Sequence, residues 1–134
     1  MSTPVLAPVR STFRALAATI VPEAGSLAED EWQELEAIVE DYLARRPPRL
    51  RRQLRLFVHV LGALPGVRWG RSFQALDPTR RTAFLAAVQD APALLLRRGF
   101  WGVRTMVYLG YYSRAAAAAE IGYRANAAGW EARP

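Results

Sequence analysis

Cysteine and lysine are absent from the chain, and histidine occurs once, at His59. Each absence excludes a class of chemistry. Without Cys there is no disulfide scaffold, no Cys₄ zinc site, no thiolate-held cluster and no Cys nucleophile. A single His cannot supply a two-His metal site and leaves little for Ser–His catalysis. No run of about twenty apolar residues occurs, so no membrane-spanning helix is expected. The nearest approach, residues 99–112, is short and carries Arg104. Sustained apolar–polar alternation is missing too, which removes the signal for strands.

What is present is 134 residues, 51% of them hydrophobic, with a formal net charge of +6. That length suits one domain with a core of its own, and the composition argues against disorder. All 18 basic residues are Arg, and Ala is over-used as well, which reads as a GC-rich coding bias. The net charge hides an asymmetry. Residues 1–44 hold two Arg and eight acidic residues, net −6; residues 45–134 hold sixteen Arg and four acidic residues, net +12. A uniformly basic nucleic-acid binder would not be divided in this way.

Helical periodicity, Pro and Gly predict an all-α single domain over 1–134. It is a bundle of about five to six helices, near 8–21, 27–46, 48–64, 70–76, 78–89 and 92–112, with an aromatic tail over 113–134. Leu6, Val9, Phe13, Leu16 and Ile20 make the first apolar stripe. Ser26-Leu27-Ala28-Glu29 reads as a capping box for the second helix, whose acids read as a solvated face. Trp32, Leu35, Val39 and Tyr42 are its inward side. In the third helix the stripe is Leu50, Leu54, Phe57, Leu61 and Leu64. Arg49, Arg51, Arg52 and Arg55 crowd its first half, the wrong end for its own dipole. They need acids of the second helix, an acidic partner or nucleic acid to explain them. His59 reads as a packed or half-exposed imidazole. Asp77-Pro78 predicts an N-cap with Pro at the first helical position, and Asp90-Ala91-Pro92 is expected to repeat the device.

The last helix carries three stripes. Leu96, Phe100, Val103 and Val107 are apolar. Leu95, Gly99, Gly102 and Met106 include small residues that let another helix approach. Arg97, Trp101, Arg104 and Tyr108 combine the residue types enriched at protein–protein hot spots; the alternative is Arg stacked on Trp within the molecule. Tyr111, Tyr112, Tyr123 and Trp130 extend the aromatic character into the tail, where they are expected to pack on the bundle or on a partner. No nucleophile–base pair, phosphate loop or flavin-binding βαβ unit can be found. Catalytic, cofactor and metal residues are therefore not assigned. An enzyme in its own right would need a carboxylate or Tyr mechanism.

Two segments resemble a known family. Phe13-Arg14-Ala15-Leu16-Ala17-Ala18-Thr19-Ile20-Val21-Pro22 is similar to the opening helix of the gluconate 2-dehydrogenase subunit 3 family, L-x-x-L-A-D-x-I-V-P, with Ala18 where Asp is common. Tyr108-Leu109-Gly110-Tyr111-Tyr112, then Glu120-Ile121-Gly122-Tyr123 and Gly129-Trp130, resemble its closing segment. The two ends frame nearly the whole chain; the middle, 23–89, shares only the helical layout. The resemblance implies a small all-helical accessory subunit without catalytic residues. It implies a partner, a large FAD-dependent oxidoreductase of the glucose-methanol-choline type that holds the flavin and the substrate. Many family members bear a twin-arginine signal. Residues 1–10 lack a basic region followed by an apolar run, and Arg97-Arg98-Gly99-Phe100 lies too deep to serve. The cytoplasm is the expected compartment, with a periplasmic complex exported through the partner as the alternative. The competing reading is a stand-alone Arg-rich module that binds nucleic acid or another acidic partner through residues 45–55. The acidic second helix beside it weighs against nucleic acid.

Overall fold

Proline sets several helix starts. Pro48, Pro65 and Pro78 each open a helix, where the missing N–H has no intrahelical partner to lose. The computed structural model describes residues 5–114. Its elements are α1 (Arg10–Ile20), α2 (Glu29–Ala44), α3 (Pro48–Ala63), α4 (Pro65–Trp69), α5 (Pro78–Gln89) and α6 (Leu94–Tyr112). Three 3₁₀ turns, Ala7–Val9, Pro22–Ser26 and Phe73–Ala75, complete the order. No strand occurs among the described residues, and the chain folds there as one all-α domain.

The last helix is the centre of the bundle. α6 packs against α1, α2, α3 and α5, and its Phe100, Val103 and Val107 are buried. Around them lie Phe13 and Leu16 of α1, Leu35, Val39 and Leu43 of α2, Val58 and Leu61 of α3, and Phe84, Leu85 and Val88 of α5. Each such side chain contributes about 1.5–3 kcal/mol by leaving water. Small residues set how closely the helices approach. A Cβ at Gly110 would lie 2.9 Å from Leu35 and Val39, so α6 rests directly on α2 there. A Cβ at Gly62 would lie 2.9 Å from Thr12, which brings α3 onto α1.

Several expectations are corrected. Ser26 does not cap the second helix, because it closes the 3₁₀ turn Pro22–Ser26 and the chain then extends. Ala28 is the N-cap residue, and its N–H donates to Glu31 Oε1 at 2.9 Å. The helix expected over 70–76 is displaced. Pro65 opens α4 instead, Gly70 closes it at φ +68°, and only a 3₁₀ turn follows over Phe73–Ala75. The left-handed backbone at Gly70 is a terminator that glycine adopts without strain. The Asp–Pro device is not repeated. Asp77 accepts from the Arg80 N–H at 3.2 Å, whereas Asp90 ends α5 and α6 opens at Leu94 without a side-chain cap. Leu50 and His59 are exposed. The inward positions of α3 are Val58 and Leu61.

Candidate functional site

The acids of α2 do more than face water. Glu36 is buried and is held by both arginines of α1: Arg10 Nε at 3.0 Å on one oxygen and Arg14 Nε on the other. The two terminal nitrogens of Arg14 donate to Glu29, each at 2.9 Å, and the guanidinium sits 5.4 Å from the Trp32 ring centre. Hydrogen bonds from Arg14 hold the Glu29 carboxyl below its ordinary range, and the same bonds with those to Glu36 raise Arg14 further. Glu40 accepts the Val5 and Leu6 N–H groups at 2.8 Å, fixing the first described residues to α2. At the far end, the buried Arg114 reaches Glu31 at 3.2 Å. Within the acidic first third, Arg10 and Arg14 thus answer Glu36 and Glu29; from the basic remainder, Arg114 answers Glu31 and Arg45 answers Asp41. None of Arg14, Glu36, Glu40 and Arg114 stands out in the sequence, since the partners that tie them to other elements lie 15 to 83 residues away.

The arginines of α3 divide. Arg51 Nη1 donates to the carbonyls of Leu43, Ala44 and Arg46, at 3.4, 3.3 and 3.0 Å. These are the end of α2, where a cation opposes the negative pole of the helix. Arg51 thus sits at the wrong end of its own helix and the right end of the preceding one. Arg55 Nε donates to Val5 O at 3.1 Å. Arg49 and Arg52 are exposed, with no ion-pair partner among the described residues.

On α6 the predicted stripe separates into two parts. Arg104 Nε donates to the Tyr108 hydroxyl at 3.1 Å and its guanidinium lies 5.2 Å from that ring. The intramolecular stack is thus on Tyr108 and not on Trp101. The ladder continues through Tyr108–Tyr112 and Tyr111–Tyr112, with centroids 6.0 and 5.0 Å apart, to Arg114 at 4.6 Å from the Tyr111 ring. Arg104 and Tyr108 also line a shallow cleft of about 300 Å³ with Ile20, Leu85 and Phe100. Arg97 and Trp101 stay outside; Trp101 is 67% exposed. Leu94, Trp101 and Tyr112, at i, i+7 and i+18, are all exposed along one side of the helix. Tyr123 and Trp130 lie outside the described residues.

The small-residue stripe of α6 has a double role. Gly99 lets α3 approach: a Cβ there would meet the Phe57 ring at 2.3 Å. At Gly102 a Cβ would meet nothing within 4 Å. That glycine faces a groove of about 640 Å³ between α3 and α6. Leu50, Leu54, Leu56, Leu95 and Met106 line it, with Arg98 the one charged residue of the lining. Leu95 is 80% and Leu56 63% exposed, so its apolar walls are open to water. Periodicity assigns Leu50 to the core and passes over Leu56, because it reports spacing and not which faces are covered.

No group of three or more His, Asp or Glu side chains that could hold a metal occurs among the described residues. No described helix is long and apolar enough to cross a membrane. What the geometry offers is surface: an aromatic–arginine ladder, an exposed Trp101 and an open apolar groove. No protein-family model, no curated protein and no solved structure matches the chain.

Proposed function

We propose that the chain is a non-catalytic accessory subunit that binds and stabilises a larger FAD-dependent oxidoreductase of the glucose-methanol-choline type, which holds the flavin. The observation that supports it is the exposed side of α6. A Trp that is 67% exposed, with Leu94 and Tyr112 exposed along the same side of the helix, offers side chains of the kind a protein partner covers. Trp and Tyr flanked by Arg are the side chains that dominate binding energy when a partner excludes water from them. The class of partner comes from the resemblance at 13–22 and 108–130.

The nucleic-acid reading loses two of its four α3 arginines. Arg51 and Arg55 are engaged with backbone carbonyls of this chain, so they are not free to neutralise phosphates.

Co-expression with a flavoprotein oxidoreductase encoded beside this chain tests the reading. The expected result is one stoichiometric complex in which the large subunit stays soluble and keeps its FAD. If the two chains purify apart, and flavin-dependent activity is the same without the small one, the reading is wrong.

A further inference from the structure

The groove between α3 and α6 carries an inference that is independent of whether the partner is a flavoprotein. Its floor is glycine: the backbone at Gly102 is uncovered, and nothing lies within 4 Å of where a Cβ would stand. Its walls are mainly leucines, of which Leu56 and Leu95 have most of their surface in water. It follows α6 from Leu95 to Met106, about 16 Å at 1.5 Å per residue. That is more than the roughly 10 Å over which a helix presents anchors at i, i+3, i+4 and i+7.

The two helices that form its long walls carry charge of one sign, and Tyr42 and Leu43 of α2 complete the lining. Neither α3 nor α6 contains an acidic residue: α3 carries Arg49, Arg51, Arg52 and Arg55, and α6 carries Arg97, Arg98 and Arg104. Arg98 lines the groove. Arg49 and Arg52 each stand one turn before a lining residue, Gln53 and Leu56. Unlike Arg51 and Arg55, they make no ion pair or backbone contact among the described residues. An apolar trough with free guanidinium groups on both banks is complementary to an apolar strip with carboxylates on both flanks.

We propose that this groove receives an acidic amphipathic helix of another protein. Its apolar side chains seat against Leu56, Leu95 and the Gly102 floor, and its Glu and Asp side chains meet Arg49, Arg52 and Arg98. Gly102 provides the closest approach, as Gly110 does for α2 within the fold. A small amphiphile fits less well, because such ligands are buried on most of their surface, and these two walls leave the space between them open.

The test uses the full chain and two labelled peptides of roughly 18 residues, long enough to hold a helix. One has Leu at i, i+3, i+4 and i+7 and Glu elsewhere on its flanks; the other has Lys in place of Glu. Fluorescence anisotropy should give saturable binding of the acidic peptide and at least tenfold weaker binding of the basic one. Leu56→Glu and Arg98→Glu, both at exposed positions, should each weaken the acidic peptide at least tenfold while circular dichroism stays unchanged. Equal binding of the two peptides would overturn the proposal, as would indifference to both substitutions. So would no saturation by the order of 100 μM, or binding of phosphatidylglycerol vesicles in place of the peptide. Failure here leaves the co-expression result standing, and the reverse also holds.

Discussion

Arg14 grips Glu29 with both terminal nitrogens while its Nε holds the buried Glu36. One side chain of α1 thereby ties down two turns of α2. Replacing it with Met keeps the apolar stem and removes every one of these bonds. Glu36 would then be buried with Arg10 as its single cation. We expect Arg14→Met to lower stability by about 2–3 kcal/mol, below the full cost of orphaning a buried carboxylate because Arg10 remains. Urea unfolding of the two chains measures it.

The same pair sets an acid dependence. Arg14 lowers the Glu29 carboxyl in the folded chain, so folding releases a proton in the acid range. The stabilisation is complete above the unfolded value, about 4.3, and is lost as pH falls through the depressed folded one. Wild type should exceed Glu29→Gln in urea midpoint at neutral pH. The gap should close as pH falls below about 4; a gap unchanged at pH 3 would mean that the pair does not couple to folding.

Gly110 and Gly102 share a helix and should respond in opposite ways to the same methyl group. At Gly110 it would meet Leu35 and Val39 at 2.9 Å, both fully buried. Gly110→Ala is expected to cost about 1–3 kcal/mol by overpacking. At Gly102 the space is open, and Ala replaces the poorest helix former but proline with the best. Gly102→Ala should gain up to about 1 kcal/mol. Thermal melts of the two variants give the signs directly.

Asp77 and Asp90 look alike in the sequence, each near a proline, but only Asp77 caps. Its carboxylate accepts the Arg80 N–H at 3.2 Å. Asp77→Ala should lose about 1 kcal/mol, and Asp90→Ala much less. Equal losses at both positions would contradict the cap assignment.

Trp101 separates stability from binding. Its ring is 67% exposed, so Trp101→Ser should change the unfolding free energy by no more than about 0.5 kcal/mol. If the proposed flavoprotein partner binds this side of α6, the same change should weaken that complex by about 2 kcal/mol or more in a binding titration. A complex of unchanged affinity would remove Trp101 from the interface.

The buried stripe of α6 was readable from spacing alone, because Phe100, Val103 and Val107 recur with the helix period and α6 is surrounded. Asp77-Pro78 was readable because a cap and its helix are neighbours in sequence. The ion pairs of α2 were not. An acid on a helix looks solvated until the chain returns with Arg10, Arg14 or Arg114, and no local pattern encodes that return. Leu50 is the converse case: it keeps the period, but among the described residues it opens onto the groove. Of the candidate site, Arg97 and Trp101 were found on an open surface. Arg104 proved half internal, bonded to Tyr108, and the groove wall at Leu56 went unnoticed.

The placement of α6 also has a consequence for synthesis. The helix that completes the core is the last of the described helices to leave the ribosome. Until then Leu35, Val39, Val58 and Leu61 have no central partner, and α1 to α5 emerge as amphipathic pieces around a missing axis. Such a chain cannot close around its axis until α6 has emerged, and apolar surface stays exposed for several seconds at ordinary elongation rates.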